Sequence, residues 1–88
     1  MEKFLNVGYD NNVNLRKVVA VLSSNSAPSK RMIKIARESQ LYVDATEGNK
    51  TLSILIMESG HIVASAVMPK TLRTVSYTHL RAHETKAN

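Results

Sequence analysis

The chain has 88 residues, no cysteine, 43% hydrophobic residues and a formal net charge of +5. This length allows one small domain, the hydrophobic share is too high for a disordered chain, and the absence of thiols excludes disulfides and thiolate metal sites. No apolar run reaches the length of a membrane span and no secretory signal is recognisable, so we expect a cytoplasmic protein without membrane contacts, whose positive charge favours a polyanionic partner.

The first predicted elements are strands. Residues 2–9 alternate, with Leu5 and Val7 on one side, which predicts a strand. The polar cluster at 10–12 predicts a turn. Residues 17–22 are rich in β-branched side chains in nearly continuous apolar order and predict a buried strand.

A helix is predicted over about residues 27–39. Asn25 or Ser26 can cap its first turn, and Pro28 fits that turn because its missing N–H is not needed there. An apolar stripe recurs at helical spacing and consists of Met32, Ile33, Ile35 and Ala36. A basic stripe lies on another face and consists of Lys30, Arg31, Lys34 and Arg37.

Three more strands are predicted after the helix. They cover residues 41–46, 51–57 and 61–68, with a tight turn at 47–50, a hairpin turn at 58–61 and a second helix opening at Pro69. The fold class is therefore a small single α+β domain with a mostly antiparallel sheet. The last two strands are apolar on both sides, and one helix covers only one face of a sheet. We therefore expect another subunit to cover the second face in a homo-oligomer.

No arrangement of residues typical of catalysis is found. The serines lack a nucleophile-elbow motif, and His61 has the position of a solvated turn or strand-edge residue. Asp44 and Glu47 flank a turn, which suits turn stabilisation better than acid–base chemistry. His79 and His83 have the spacing of a zinc pair on a helix but lack a third ligand. We expect no enzyme, no metal, no cofactor and no small-molecule substrate.

The basic residues leave two hypotheses open. They are concentrated at Arg16 and Lys17, at Lys30, Arg31, Lys34 and Arg37, and at Lys50. Repeated around an oligomer, such residues would form a basic track for DNA phosphates, and each neutralised phosphate would add salt-sensitive affinity. The alternative is an oligomeric structural or protein-interaction module without DNA binding, in which the same residues form a solvated surface.

Four segments of the chain resemble the RemA family of bacterial extracellular-matrix regulators. They are FLNVGYDNNV, SAPSKRMIKIAR, VDATEGNKT and SGHIVASAVMPKT, and the likeness runs without a gap from about Lys3 to Leu72. The resemblance implies a small α+β protomer that assembles into a ring, binds double-stranded DNA on a basic rim and activates transcription of matrix operons for biofilm formation. It also implies a nucleoid-associated protein.

The same resemblance implies roles for particular residues. DNA contact falls on Lys17, with Arg16 beside it, and on the pair Asn49 and Lys50. Three additional candidates for DNA contact lie in the helix and are Lys30, Arg31 and Lys34. Pro28 matches a position important for family function, which we interpret as fixing the start of the helix and thereby the subunit contact. Family members usually have arginine in place of Asn49, whose lower charge and fewer donors imply weaker phosphate binding.

The resemblance also implies a domain limit. The domain covers residues 1–73, with its C-terminus cut short, and residues 74–88 are interpreted as a non-native tail. The segment VSYTHLRAHET back-translates to a transposon-based sequencing adapter. On this hypothesis His79 and His83 are not metal ligands. The domain keeps a net charge of +4, because the tail holds two of the twelve basic and one of the seven acidic residues.

Overall fold

The computed structural model describes residues 3–74 as a four-stranded sheet with a helix on one face and a two-stranded hairpin on the other. The elements are β1 (Phe4–Asn6), β2 (Asn12–Asn14), β3 (Val18–Ser23), α1 (Ala27–Glu38), β4 (Tyr42–Asp44), β5 (Ser53–Met57) and β6 (Ile62–Ser65). A 3-10 turn, Leu15–Lys17, joins β2 to β3, and residues 69–74 are helical. The predicted α+β class is confirmed. His79, His83 and residues 75–88 of the predicted tail lie outside the described residues.

The four-stranded sheet has the order β3-β5-β6-β4, so β3 and β4 form its two edges. β5 pairs antiparallel with both β3 and β6, whereas β4 runs parallel to β6. The sheet is therefore mostly antiparallel, as predicted, with one parallel pair that the sequence did not indicate. The predicted turn at 47–50 is present, but β4 and β5 on either side of it do not pair with each other.

Helix α1 covers one face of the sheet because most of its apolar side chains share one side; Ile35 of the predicted apolar stripe is the exception and is 59% exposed. Ser26 caps it, since its Oγ accepts a hydrogen bond of 3.2 Å from the backbone N–H of Ser29, and Pro28 lies in the first turn as predicted. The helical side of this core contains Met32, Ile33 and Ala36, and the sheet side contains Leu22, Ile54, Ile56 and Ile62. Of the two predicted caps, Ser26 is the one used.

The second face of the sheet is covered by the chain itself. β1 and β2 form an antiparallel hairpin whose Leu5 and Val7 are buried, and Leu72 of the helical segment joins the same cluster. These side chains pack with Leu55 and Val63 of the sheet. The expectation that another subunit covers this face is therefore wrong, because the N-terminal hairpin already removes it from water.

The hairpin was not recognisable because β2 has an unfavourable composition. The sequence predicts a turn at 10–12, whereas Asn12 begins β2, in which two asparagines flank Val13. Asparagine is depleted in strands, so local preference opposes this strand. Pairing with β1 places Val13 opposite the buried Leu5, and burial of a leucine side chain contributes about 1.5–3 kcal/mol. Long-range packing therefore outweighs local preference here.

Candidate nucleic-acid interface

The two residue pairs predicted to contact DNA lie toward opposite ends of strand β5. Lys17 directly precedes β3, whose first residue is paired with Met57 at the end of β5. Lys50 precedes the start of β5 at Ser53. A strand of five residues spans about 13 Å between its first and last Cα atoms. The structure therefore does not bring the two predicted pairs into one cluster within a protomer.

The start of helix α1 lies at the same end of the sheet as Lys50. Ser24 precedes α1 and donates hydrogen bonds to the carbonyl oxygens of Leu52 and Thr51, at 3.1 and 2.8 Å. The three helical candidates for DNA contact are exposed and are Lys30, Arg31 and Lys34. The first turns of α1, with these basic residues, therefore lie near the end of the sheet where Lys50 is found.

Lys17 carries the only ion pair found within residues 3–74. Its Nζ lies 3.6 Å from Oε1 of Glu58, and the two side chains are 57% and 64% exposed. The backbone N–H of Glu58 also donates a 2.7 Å hydrogen bond to the carbonyl oxygen of Lys17, which fixes the two residues side by side. An ion pair this exposed contributes at most about 1 kcal/mol, so another anion can displace the carboxylate.

An open cavity of about 470 Å³ lies beside this ion pair. It is lined by Asn14, Lys17, Met57, Glu58, Ser59 and His61. His61 is half-buried just before β6, and its Nδ1 lies 2.7 Å from the hydroxyl oxygen of Ser59. Of the two predicted positions of His61, a solvated turn or a strand edge, the structure has the turn, with the side chain half-buried and followed by the central strand β6. The structure brings its ring to the same cavity as Lys17, a proximity that the sequence did not indicate.

Two tight turns of the same kind lie against each other, and we call them the paired turns: residues 8–11 and residues 46–49. Each is closed by a 3.0 Å hydrogen bond from the N–H of its last residue to the carbonyl oxygen of its first. Their central residues all have positive φ and are Tyr9 (53°), Asp10 (63°), Glu47 (52°) and Gly48 (82°). Positive φ at both central positions is the pattern of type I′ turns.

Side-chain hydrogen bonds connect the paired turns. The Nδ2 of Asn49 donates to the hydroxyl oxygen of Tyr9 at 2.8 Å. The Nδ2 of Asn11 donates to the carbonyl oxygen of Ala45 at 3.4 Å. The amide of Asn49, one of the predicted DNA contacts, is therefore engaged within the protein. Tyr9 was missed by sequence reasoning because it lies forty positions away from its partner.

The charges around the paired turns are mixed. The turns carry the exposed carboxylates of Asp10 and Glu47, and the exposed Lys50 follows directly. Nearby, the side-chain hydroxyl and then the backbone N–H of Thr46 donate to Asp44 and hold the pKa of its carboxyl group below the ordinary value of 3.8. Arg37 lowers this pKa further, against the opposing effect of burial. Asp44 is therefore ionised at neutral pH, and its carboxylate stabilises the start of the turn at residues 46–49 by accepting both hydrogen bonds from Thr46.

A metal centre is not indicated by the described part of the chain. Residues 3–74 contain no group of three or more His, Asp or Glu side chains that could hold a metal ion. Within the same residues, no helix is long and apolar enough to cross a membrane.

Comparison with known proteins gives the family of this chain. A family model described as RemA-like, extracellular matrix regulatory protein A-like, matches residues 4–74. The chain belongs to the RemA-like family. The resemblance carried by the four sequence segments is therefore confirmed.

This RemA-like protein is similar to proteins of Geobacillus and Bacillus that are named putative regulatory proteins. A protein of Geobacillus kaustophilus (strain HTA426) is 44% identical over 77 residues, which cover 88% of each chain. One of Geobacillus sp. (strain WCH70) is 44% identical over 75 residues, covering 85% of this chain and 86% of the relative. One of Bacillus cytotoxicus is 43% identical over 70 residues, covering 80% of each chain.

All predicted site residues of this RemA-like protein lie within the matched region, as do three residues that the sequence analysis did not select for the interface: Tyr9, Glu58 and His61. Glu58 is placed beside Lys17 by the β3–β5 register, and Tyr9 is placed beside Asn49 by the docked hairpin. Neither proximity follows from local sequence. The site therefore combines residues that resemblance identified with residues that only the fold brings to them.

Proposed function

We propose that this RemA-like protein is a DNA-binding transcriptional regulator of extracellular-matrix genes that acts as a homo-oligomer. A regulatory role is supported by the names of its relatives. The observation that carries DNA binding is the exposure of the cations. Every lysine and arginine side chain within residues 3–74 is exposed, and only Lys17 is paired with a carboxylate there. Exposed, unpaired cations are available to replace the counterions of DNA phosphates.

Affinity in this proposal comes from repetition around the oligomer. The predicted cations of one protomer are spread over both ends of β5 and the start of α1 instead of forming one cluster. A few phosphate contacts for each protomer give weak binding, and linking many protomers multiplies it. Phosphate contacts carry no sequence information directly, so DNA shape and deformability would supply specificity.

Exposed apolar side chains at the edges of the sheet support self-association. Val19 on edge strand β3 is 67% exposed, and Val43 on edge strand β4 is 44% exposed. The two edges are different surfaces, so a contact between them is head-to-tail. Such contacts generate a closed ring when the rotation between neighbours divides a full turn. The alternative function, a protein-interaction module, shares this feature and differs in lacking DNA affinity.

DNA binding is tested by fluorescence anisotropy with a matrix-promoter duplex at two salt concentrations, using protein whose oligomeric mass is known from light scattering. We expect saturable binding that weakens as salt rises. Lys17→Ala and Lys50→Ala should each weaken binding with the mass unchanged. Each should also reduce the slope of log K against log salt by about one for every phosphate that the variant no longer neutralises.

The matched control is Lys70→Ala, which removes an exposed lysine of the helical segment outside the predicted interface. It should leave the slope nearly unchanged. If the oligomer shows no salt-sensitive DNA binding, the proposed DNA-binding function is excluded and the interaction module without DNA binding is favoured. Dissociation of the oligomer by Lys17→Ala or Lys50→Ala would contradict the assignment of these residues to DNA.

A further inference from the structure

The amide of Asn49 has no hydrogen left for a phosphate. Its Nδ2 carries two hydrogens, and three acceptors surround it: the Tyr9 hydroxyl oxygen at 2.8 Å, the Thr46 carbonyl oxygen at 3.1 Å and the Glu47 carbonyl oxygen at 3.5 Å. The two carbonyl oxygens are acceptors only, so the nitrogen of the amide, and not its oxygen, has to face them. The remaining oxygen of Asn49 cannot donate to an anion.

The hydroxyl of Tyr9 is in the opposite situation. A hydroxyl has one hydrogen and two lone pairs, and Tyr9 uses a lone pair to accept from Asn49. Within residues 3–74 the hydroxyl hydrogen itself meets no acceptor, and the side chain is 55% exposed. A hydroxyl that accepts a hydrogen bond becomes a better donor, because hydrogen bonds in a chain polarise one another. Tyr9 therefore presents a polarised O–H group to the solvent.

The backbone holds the Tyr9 ring in this position at a cost. Its φ of 53° is uncommon for an aromatic residue, and such conformations persist only where the surroundings impose them. Gly8 supplies one constraint: its φ is 106°, and a Cβ there would lie 3.2 Å from Cγ2 of Val67. A 2.8 Å hydrogen bond from the N–H of Val7 to the carbonyl oxygen of Asn11 supplies another.

We propose that Tyr9 is the neutral phosphate donor of the paired turns and that Asn49 is a positioning residue that holds the Tyr9 hydroxyl. This inference rests on the proposed function, since it names which side chains of the same interface meet DNA. Lys50, next to Asn49, supplies the charge of the contact. The carboxylates of Asp10 and Glu47 in the same turns repel phosphate, so the contribution of a neutral donor is expected to be modest.

A neutral donor has a distinctive signature in a salt titration. Tyr9→Phe keeps the ring and removes only the hydroxyl, and loss of one such hydrogen bond should weaken DNA binding about 3- to 10-fold. The slope of log K against log salt should not change, because an uncharged group releases no counterion. Lys50→Ala should lower both the affinity and the slope. Tyr42→Phe, at a tyrosine stacked with Arg37, is the matched control and should bind as the wild type does.

The role of Asn49 is tested by a double-mutant cycle, with the fold of each variant monitored by thermal unfolding. Asn49→Ala alone should weaken DNA binding, and in the Tyr9→Phe background it should cause no further loss. Additive losses would overturn the positioning role. Wild-type affinity for Tyr9→Phe, in a protein that binds DNA with a clear salt dependence, would overturn the inference and leave the proposed function standing. Absence of DNA binding by the wild-type oligomer would overturn both.

Discussion

At the scale of single residues, the Lys17 ammonium group forms an ion pair with a carboxylate of the same chain, that of Glu58. Glu58 is fixed beside it by a backbone hydrogen bond and lies 3.6 Å from its Nζ. A DNA phosphate that binds Lys17 has to displace this carboxylate. The register of β3 and β5 therefore sets the affinity of the proposed interface through an acidic neighbour as well as through the cation.

Replacement of this neighbour, Glu58→Gln, should raise DNA affinity about 2- to 10-fold at low salt, because Lys17 is released and one repulsive charge is removed. The matched control is Glu38→Gln at the exposed end of α1, which changes the net charge equally without touching Lys17. Both variants are compared with wild type by anisotropy. An equal gain in both would show that only net charge matters and would contradict the specific competition.

Asp44 and Thr46 give a prediction on pH. The pKa of Asp44 is lowered, first by the Thr46 hydroxyl, so the folded state favours the carboxylate. This contribution to stability is present above the ordinary pKa of 3.8 and is lost as pH falls through the lower folded value. Thr46→Val should raise the pKa of Asp44 toward 3.8. The difference in the free energy of unfolding between wild type and Thr46→Val should be smaller at acidic pH than at neutral pH.

The measurement is a carbon-13 NMR titration of the Asp44 carboxyl group in wild type and variant. Urea unfolding at neutral and acidic pH gives the stability difference. An unchanged Asp44 pKa in Thr46→Val would contradict the assignment of the hydroxyl as the main cause.

At the scale of elements, the helical segment at 69–74 acts as part of the cover of the sheet. Leu72 is 1% exposed and packs with Leu5 and Leu55. Leu72→Ala should lower the free energy of unfolding by about 2–5 kcal/mol, since it removes buried apolar surface and leaves a cavity. Met68→Ala, at a side chain 58% exposed, should cost less than about 0.5 kcal/mol. Urea denaturation measures both, and equal small losses would contradict this role.

The elements differ in how well the sequence predicts them. Helix α1 was predicted within a residue at each end, because its apolar spacing, Ser26 cap and Pro28 all agree. β3, β5 and β6 were predicted from their apolar residues; β3 has the predicted length and lies one residue further along the chain, whereas β5 and β6 are shorter than expected. β2 was missed because asparagine has a low strand propensity, so this segment is a strand only through its pairing with β1. The parallel position of β4 beside β6 depends on tertiary packing and has no local signal.

The same distinction applies to the candidate site. The exposure of Lys17, Lys50 and the helical cations follows from their positions in turns and on a polar helix face. The contacts of Glu58 with Lys17 and of Tyr9 with Asn49 depend on strand register and on hairpin docking, over separations of about forty residues. The sequence therefore indicates which residues face solvent, and the fold determines which of them act together.

At the scale of the whole molecule, both faces of the sheet are covered, and we expect the proposed self-association to use the sheet edges, where Val19 and Val43 are exposed. Val18 pairs with Met57 and Ala20 pairs with Ile56, which leaves Val19 as the extra residue of a β-bulge. Its side chain is turned outward on an edge strand. A charge at such a position opposes association of strands edge to edge.

Val19→Lys should therefore reduce the mass in light scattering toward that of the protomer, and DNA affinity should fall despite the added positive charge because avidity is lost. Ile35→Lys adds the same charge on the exposed side of α1, where Ile35 is 59% exposed. It should keep the oligomeric mass. Dissociation by Ile35→Lys and not by Val19→Lys would place the contact on the helix instead of the sheet edge.

The hairpin of β1 and β2 can take its covering position only after the strands that it covers have formed. Its covering position depends on strands made much later in synthesis, since the Ser65 hydroxyl donates to the carbonyl oxygen of Val7 across 58 residues. β1 and β2 precede β5 and β6 in the chain, so the hairpin has no surface to dock on until these later strands have formed. Contacts of such long sequence separation carry a loop-closure entropy that has to be offset by the contacts themselves. Docking of the hairpin both forms the Tyr9–Asn49 contact and removes Leu55 from water, so the paired turns are complete only in a protomer whose sheet face is covered.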